Sequence, residues 1–498
     1  MEKIILFLNF YNNFLNLIAE NWLLILLFLV FIILFFLILR RWQTGIIAVF
    51  ICLYFQDFIR KIIPGQPAYV MLLTDIFLFF AYFSFILLLI KKYKREKIKI
   101  WKPPFSGILI VFAGWCIVDS FNPVLPNIFF PMIGIRSYLW YVPLLFLGYY
   151  MFSEEKKFMK FSRILIYTSI PLTVVAILQY LFKESLPIFL QPFQGSHFFH
   201  SFIEGTVYLP SSVFGSYDRF SRQAFFLALF GGGLSLYKGS SIKQRILLII
   251  STIFAIFGVF ISGRRAPMYL LLIAGICFFF LILRYFSKSQ IKKIFIFSAL
   301  ILLICFILVF TIFPDTGFYF FSSFIGMKIR APVSRVLVDT AAIPERIAVM
   351  FGDFWVGIEH SGFLGFGTGS RSQGLDYIPG GHEWSITGGP QKIGVEVGLA
   401  KIWYELGPIG TLIFSLLFVS MFFYWLREFS YLKNGRLFGL GFSIFLFLFL
   451  MVLWFLKGAQ ILGETMTLVY FWFFMGVLFK LKSYEFFRNY KYFFKGHY

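Results

Sequence analysis

Apolar stretches of about twenty residues, the length a helix needs to cross a bilayer, recur along the whole chain. They lie near residues 22–39, 45–59, 69–90, 105–118, 133–150, 162–182, 221–238, 245–261, 267–284, 293–313, 400–425, 437–456 and 461–479. The second and fourth are short for a span. This pattern predicts an all-α, polytopic membrane protein with about thirteen transmembrane helices, twelve to fourteen, in a single transmembrane domain over residues 1–498. The first twenty residues carry Glu2, Asn9, Asn12, Asn13 and Glu20 without a small-residue cleavage site. They read as an interfacial helix or a poor first span rather than a cleaved signal.

The polar connectors fall into two alternating sets. Arg40 with Arg41, the run Lys91 to Lys102, Lys156 to Arg163, Lys238 to Arg245, Arg284 to Lys293, Arg427 to Arg436 and the tail from Lys480 hold 28 of the 45 basic residues. Positive charge marks cytoplasmic loops. The intervening connectors 60–68, 119–132, 183–220, 262–266, 314–399 and 457–460 therefore face outward. Two of these are long. The 314–399 loop exceeds what a connection requires, and long loops on a rigid scaffold carry function. It contains a helix-like stretch, Arg335 to Trp355, and then a glycine-rich segment, Gly357 to Gly398. No internal repeat is visible.

Composition agrees with the membrane reading. The chain is 60% apolar and 14% charged, against roughly 25% charged in soluble domains. The 74 phenylalanines fit lipid contact. The net charge of +22 does not point to nucleic acid, because the cations lie in membrane loops. Cys52, Cys116, Cys277 and Cys305 sit inside apolar segments without CxxC spacing and read as packing residues.

Several arginines break the cytoplasmic rule. Arg264 and Arg265 occupy the outward turn Ser262-Gly263-Arg264-Arg265-Ala266-Pro267, Arg219 and Arg222 open the seventh span, and Arg136 lies just inside the fifth. A guanidinium presents a planar fork of donors that matches phosphate. An outward-facing arginine cluster at the membrane boundary thus points to an anionic headgroup such as a lipid-linked phosphate or diphosphate. The plainer alternative is snorkelling to bulk lipid phosphate. Acid–base candidates are His382, in His382-Glu383-Trp384, and Glu396 and Glu405 on either side of Lys401. Lys401 and Glu405 share a helix face at i,i+4, which also fits an ordinary surface ion pair; His382 also fits a surface-loop histidine. Gly365-Phe366-Gly367-Thr368-Gly369 has a phosphate-cradle spacing, but no strand precedes it and no helix opens after it. It reads as a flexible loop. No cluster has metal-ligand spacing and no Walker A pattern occurs, so neither a metal nor another cofactor is expected.

Three segments carry a resemblance. Ser262 to Pro267, Phe363-Leu364-Gly365-Phe366-Gly367-Thr368-Gly369-Ser370, and Trp403-Tyr404-Glu405-Leu406-Gly407-Pro408-Ile409-Gly410 are similar, in order and topology over residues 45 to 480, to motifs of the bacterial O-antigen polymerase and O-antigen ligase superfamily. The resemblance implies a metal-independent, GT-C class glycosyltransferase in the bacterial inner membrane. Such an enzyme takes glycan from undecaprenyl diphosphate on the periplasmic face and passes it to another lipid-linked glycan or to the lipid A core. A chain-length regulator protein is a further implied partner beside membrane lipids. Arg265 matches the family's turn arginine, Arg264 replaces a serine and adds a charge, and Arg222 and Arg136 match arginines on corresponding spans. Where many members have His-Asn, this chain has His382-Glu383, so Glu396 is an alternative base. A transporter or flippase of lipid-linked glycans, and a membrane scaffold, are the competing classes. The former would require charge along a mid-membrane path.

Overall fold

A computed structural model describes residues 30–63, 68–96, 100–182, 185–187, 190–191, 198–200, 206–237, 239–285, 352, 355, 358–359, 362–372, 374–375, 378–381, 397–432, 435–458 and 463–495. The expected span near 293–313, His382, Glu383, Glu396 and most of the 183–220 and 314–399 loops lie outside these residues, as does the side chain of Arg265.

Each expected span within the described residues falls on a helix. Seven helical runs are long and apolar enough to cross a membrane: Tyr69–Arg95, Phe129–Met151, Glu155–Phe182, Ile242–Ile261, Gly398–Tyr431, Phe438–Leu456 and Thr465–Glu485. Val30–Arg40, Ser106–Asp119 and Ala266–Leu281 are shorter apolar helices. The protein is an all-α multi-pass membrane protein. Seven runs meet the spanning requirement among the described residues, and thirteen stays an expectation for the whole chain. The strands among those residues are β1, Phe198–His200, and β2, Thr206–Tyr208, an antiparallel ribbon within the 183–220 loop.

The chain groups into two compact units, Met1–Ile100 and Trp101–Tyr498. The first holds α1 (Val30–Arg40), α2 (Trp42–Ile62), a 3-10 turn (Ala68–Leu72) and α3 (Leu73–Glu96). Arg41, with φ −144°, separates α1 from α2. Small residues let α2 and α3 approach: a Cβ on Gly45 would stand 2.8 Å from the Ala81 Cβ. Thr74 donates to Gln56 Oε1 at 2.7 Å within this contact.

The second unit contains α4 (Ser106–Asp119), α5 (Phe129–Ile135), a π-helical turn (Arg136–Trp140), α6 (Leu144–Met151), α7 (Glu155–Tyr167), α8 (Ser169–Phe182), α9 (Tyr217–Ser235), α10 (Ile242–Ile261), α11 (Arg265–Tyr285), α12 (Gly398–Tyr431), α13 (Phe438–Lys457) and α14 (Thr465–Lys495). α14 forms the core, since 89% of its spanning segment is buried. α6 lies directly on it, because a side chain at Gly148 would strike the Phe473 carbonyl and one at Gly476 the Leu145 carbonyl. On another side Phe226 of α9 stacks on Tyr470 at 4.3 Å. Local signals set the helix starts. Ser216 caps α9 by accepting the Arg219 N–H, and Ser241 with Gln244 forms a capping box on α10.

α12 is bent at Gly407, whose φ of +66° suits glycine, and at Pro408. Proline has no N–H, so the Tyr404 carbonyl loses its helical partner. The glycine-rich turn supplies a replacement: Phe366 N–H donates to Tyr404 O at 2.8 Å and Gly367 N–H to Glu405 O at 3.0 Å. Trp115 Nε1 donates to the Leu406 carbonyl at 3.0 Å. The expectation of a flexible loop at Gly365–Gly369 is thereby corrected. Residues 365–370 are buried, because the bend exposes acceptors that this backbone satisfies.

Candidate functional site

Two polar clusters meet at the π-helical turn. The first gathers arginines. Arg219 and Arg222 stand one turn apart on α9 and so share a face. Glu464, immediately before α14, receives them. Arg222 Nη1 donates to Glu464 Oε2, Arg219 Nε lies 3.8 Å from Oε1, and Thr467 donates to Oε2 at 2.7 Å. Arg136 comes from the π-helical turn and donates through Nη2 to Thr465 Oγ1 at 2.9 Å. Tyr141 donates to the same oxygen at 3.1 Å. The Arg222 guanidinium also lies 5.6 Å from the Trp454 ring centre. Arg264, just before α11, meets the start of α9. Its Nε and Nη2 donate to the two Asp218 carboxylate oxygens, and it lies 4.7 Å from the Tyr217 ring centre.

Of the five arginines singled out in the sequence, Arg136, Arg219 and Arg222 converge on Glu464 and Thr465. Arg264 is held one step away by Asp218, the residue before Arg219. Arg265 opens α11, and its side chain is outside the described residues. The partners Glu464, Thr465 and Asp218 were missed by the sequence reading, which weighed Glu396 and Glu405 as acid–base groups but paired no anion with the arginines. The signal was available: Glu464 is a carboxylate inside an apolar stretch predicted to span, and ionisable groups in such places mark function.

The second cluster centres on Glu405. Its carboxylate is fully buried. Oε2 accepts from Tyr138 OH. Oε1 accepts from Arg371 N–H at 2.7 Å and from Ser372 Oγ at 3.3 Å. Lys401 Nζ, also buried, stands 4.0 Å from Oε1 and 5.9 Å from the Tyr138 ring centre. The sequence prediction that Lys401 and Glu405 share a helix face is met, but the pair is in the interior rather than on a surface. Asp119 lies on the other side of the turn and accepts from Thr368 Oγ1 at 3.1 Å. With both oxygens engaged and enclosed, Glu405 is positioned to hold structure together. The other two acid–base candidates, His382 and Glu396, lie outside the described residues. Arg136 and Tyr138, two residues apart, join the arginine cluster to the Glu405 cluster.

No family model and no curated protein matches this chain. The fold itself defines the class, a multi-pass α-helical membrane protein, with a buried polar site built among its helices.

Proposed function

We propose that this protein is a membrane glycosyltransferase that moves glycan from undecaprenyl diphosphate to an acceptor glycan at the periplasmic face of a bacterial inner membrane, and that it acts as a surface-polysaccharide polymerase. One observation carries this reading: three of the five arginines singled out in the sequence, from two elements, converge on Glu464 and Thr465, with Arg264 held beside them by Asp218. Fixed guanidinium groups in a water-poor setting stabilise the charge that develops on a diphosphate leaving group without a metal.

In the reaction, an acceptor hydroxyl oxygen attacks the anomeric carbon of the donor sugar and the bond from that carbon to the diphosphate oxygen breaks. The hydroxyl proton passes to a base, His382 or Glu396 of the long loop. Arg136, Arg219, Arg222, Arg264 and Arg265 hold the departing diphosphate. The motif resemblance of Phe363 to Ser370 and Trp403 to Gly410 supports the same assignment.

Purified protein in lipid vesicles, given a lipid-diphosphate-linked oligosaccharide, should yield longer lipid-linked chains and free undecaprenyl diphosphate. Unchanged donor in vesicles where the donor is carried across the bilayer would replace the enzyme with a flippase. Deletion of the gene separates the two enzyme alternatives. A single repeat unit on the lipid A core marks a lost polymerase, and a bare core with accumulated lipid-linked polymer marks a lost ligase.

A further inference from the structure

The Glu405 carboxylate has a geometry that a simple buried ion pair would not need. Its two oxygens face different parts of the protein. Oε2 takes the Tyr138 hydroxyl, which belongs to the π-helical turn Arg136–Trp140. Oε1 takes the Arg371 N–H and the Ser372 hydroxyl, which belong to the end of the glycine-rich turn. The residue itself stands on the first half of α12, two positions before the bend at Gly407. A single side chain thus bridges its own helix to two other segments, lying 267 residues from Tyr138 and 34 from Arg371 along the chain.

The rest of the turn is keyed in the same way. Its backbone fills the acceptors freed by the bend. Thr368 Oγ1 reaches the Cys116 carbonyl at 2.9 Å and Asp119. A Cβ on Gly134 would stand 2.5 Å from the Gly369 nitrogen, so the turn lies directly against the helix that leads into Arg136. Lys401 Nζ stands 4.0 Å from Oε1, the oxygen that takes both donors of the turn.

We propose that Glu405 is a positioning residue that couples the seating of the 365–372 turn to the π-helical turn carrying Arg136, so that the outer loop and the arginine cluster move as a linked pair. The coupling rests on the reading of that cluster as the diphosphate site only for its consequence, which is that a loop in place and an arginine in place occur together. The physical link stands on the Glu405 contacts alone.

The test measures hydrogen exchange in the full-length protein in lipid nanodiscs, comparing wild type with Glu405→Gln and Tyr138→Phe. A glutamine keeps one acceptor oxygen for the turn and can meet the Tyr138 hydroxyl only as a donor, so the charge-assisted bond to one side is lost. Tyr138→Phe removes a hydroxyl that touches no atom of the turn in the hydrogen bonds described above, and phenylalanine preserves the ring. With the link intact, both variants speed exchange of the Phe366, Gly367 and Arg371 amides, about fivefold to tenfold for loss of one hydrogen bond. Reciprocally, Ser372→Ala loosens the peptide over 129–141. A merely local structural role would leave the turn unmoved in Tyr138→Phe, and unchanged turn exchange in that variant overturns the proposal. Should Glu405→Gln fail to fold, Tyr138→Phe and Ser372→Ala still decide it. Inorganic pyrophosphate added to the same samples reports on the arginine reading separately. Absence of pyrophosphate protection at 136 and 219–222, with coupled exchange retained, overturns the diphosphate site and keeps the link.

Discussion

Charge placement at single residues decides what the arginine cluster does. Glu464 sits where an anionic ligand would sit, since its Oε2 already receives the Arg222 guanidinium. On the proposed function, a bound diphosphate competes with it. Glu464→Gln should therefore raise pyrophosphate affinity several-fold by isothermal titration, whereas a purely structural Glu464 would give a lower melting temperature and unchanged affinity. Arg222→Lys keeps the charge but loses the planar fork, and it should weaken pyrophosphate binding by roughly tenfold to a hundredfold, the loss of one charge-assisted hydrogen bond of about 1.5–3 kcal/mol. Wild-type affinity in that variant would take the site away from α9. At the second cluster, Lys401→Met strands a carboxylate that is fully buried. Breaking a buried pair from one side costs about 3–5 kcal/mol, so this variant should melt well below wild type, and Lys401→Met combined with Glu405→Gln, which removes the stranded charge but keeps an acceptor for the turn, should recover part of the loss. An unaltered melting curve for the single variant would mean that the two charges do not compensate each other.

The elements show which parts of this architecture are written in the sequence and which are not. Spans were legible because a bilayer imposes one requirement, about twenty apolar residues, on each of them separately; α3, α10, α12 and α13 fall where the apolar stretches lie. The bend in α12 was also written locally, in Gly407-Pro408. What that bend does was not. The acceptors it frees on Tyr404 and Glu405 are filled by Phe366 and Gly367, and no periodicity joins residues about forty positions apart across a long loop. The same limit hid Tyr138, whose meaning lies in a partner on another helix, and the arginines that Glu464 receives. The glycine-rich turn illustrates the cost of reading a segment alone. Its glycines suggested freedom, yet Gly369, at φ +95°, places its α-carbon against the Phe130 carbonyl and leaves no room for a side chain. Gly369→Ala should destabilise the protein by about 1–3 kcal/mol from the backbone strain alone, with a further loss from displacement of α5, read as a lowered melting temperature. A turn that truly moved freely would accept alanine at no cost.

Across the second unit, the connectors that the charge pattern assigns to one face of the membrane are found bonded to one another. Asn122, in the expected outward loop 119–132, donates to the Gly365 carbonyl, and Asn127 donates to Pro379 O in the expected outward loop 314–399. Arg264 of the 262–266 turn meets Asp218 of the 183–220 loop. The basic connectors keep equally to themselves. Arg163 reaches Ser240, Tyr484 donates to the Phe152 carbonyl, Leu437 N–H donates to Glu485, and Lys482 lies 3.9 Å from Glu428. The charge count uses composition and the contacts use geometry, so their agreement on which loops belong together is not built in. Agreement supports two sets; in the proposed orientation, the set with the surplus of cations faces the cytoplasm. In a background with the four native cysteines replaced, a membrane-impermeant maleimide added to intact inner-membrane spheroplasts should label Phe121→Cys, where the native side chain is 80% exposed, and should leave Lys157→Cys, at a position 62% exposed, unlabelled until the membrane is broken. Labelling of Lys157→Cys from outside would invert the protein. It would also carry Arg136, Arg222 and Arg264 to the cytoplasmic side, where the proposed donor would present its diphosphate only before being flipped, and so would remove the periplasmic transferase reading together with the orientation.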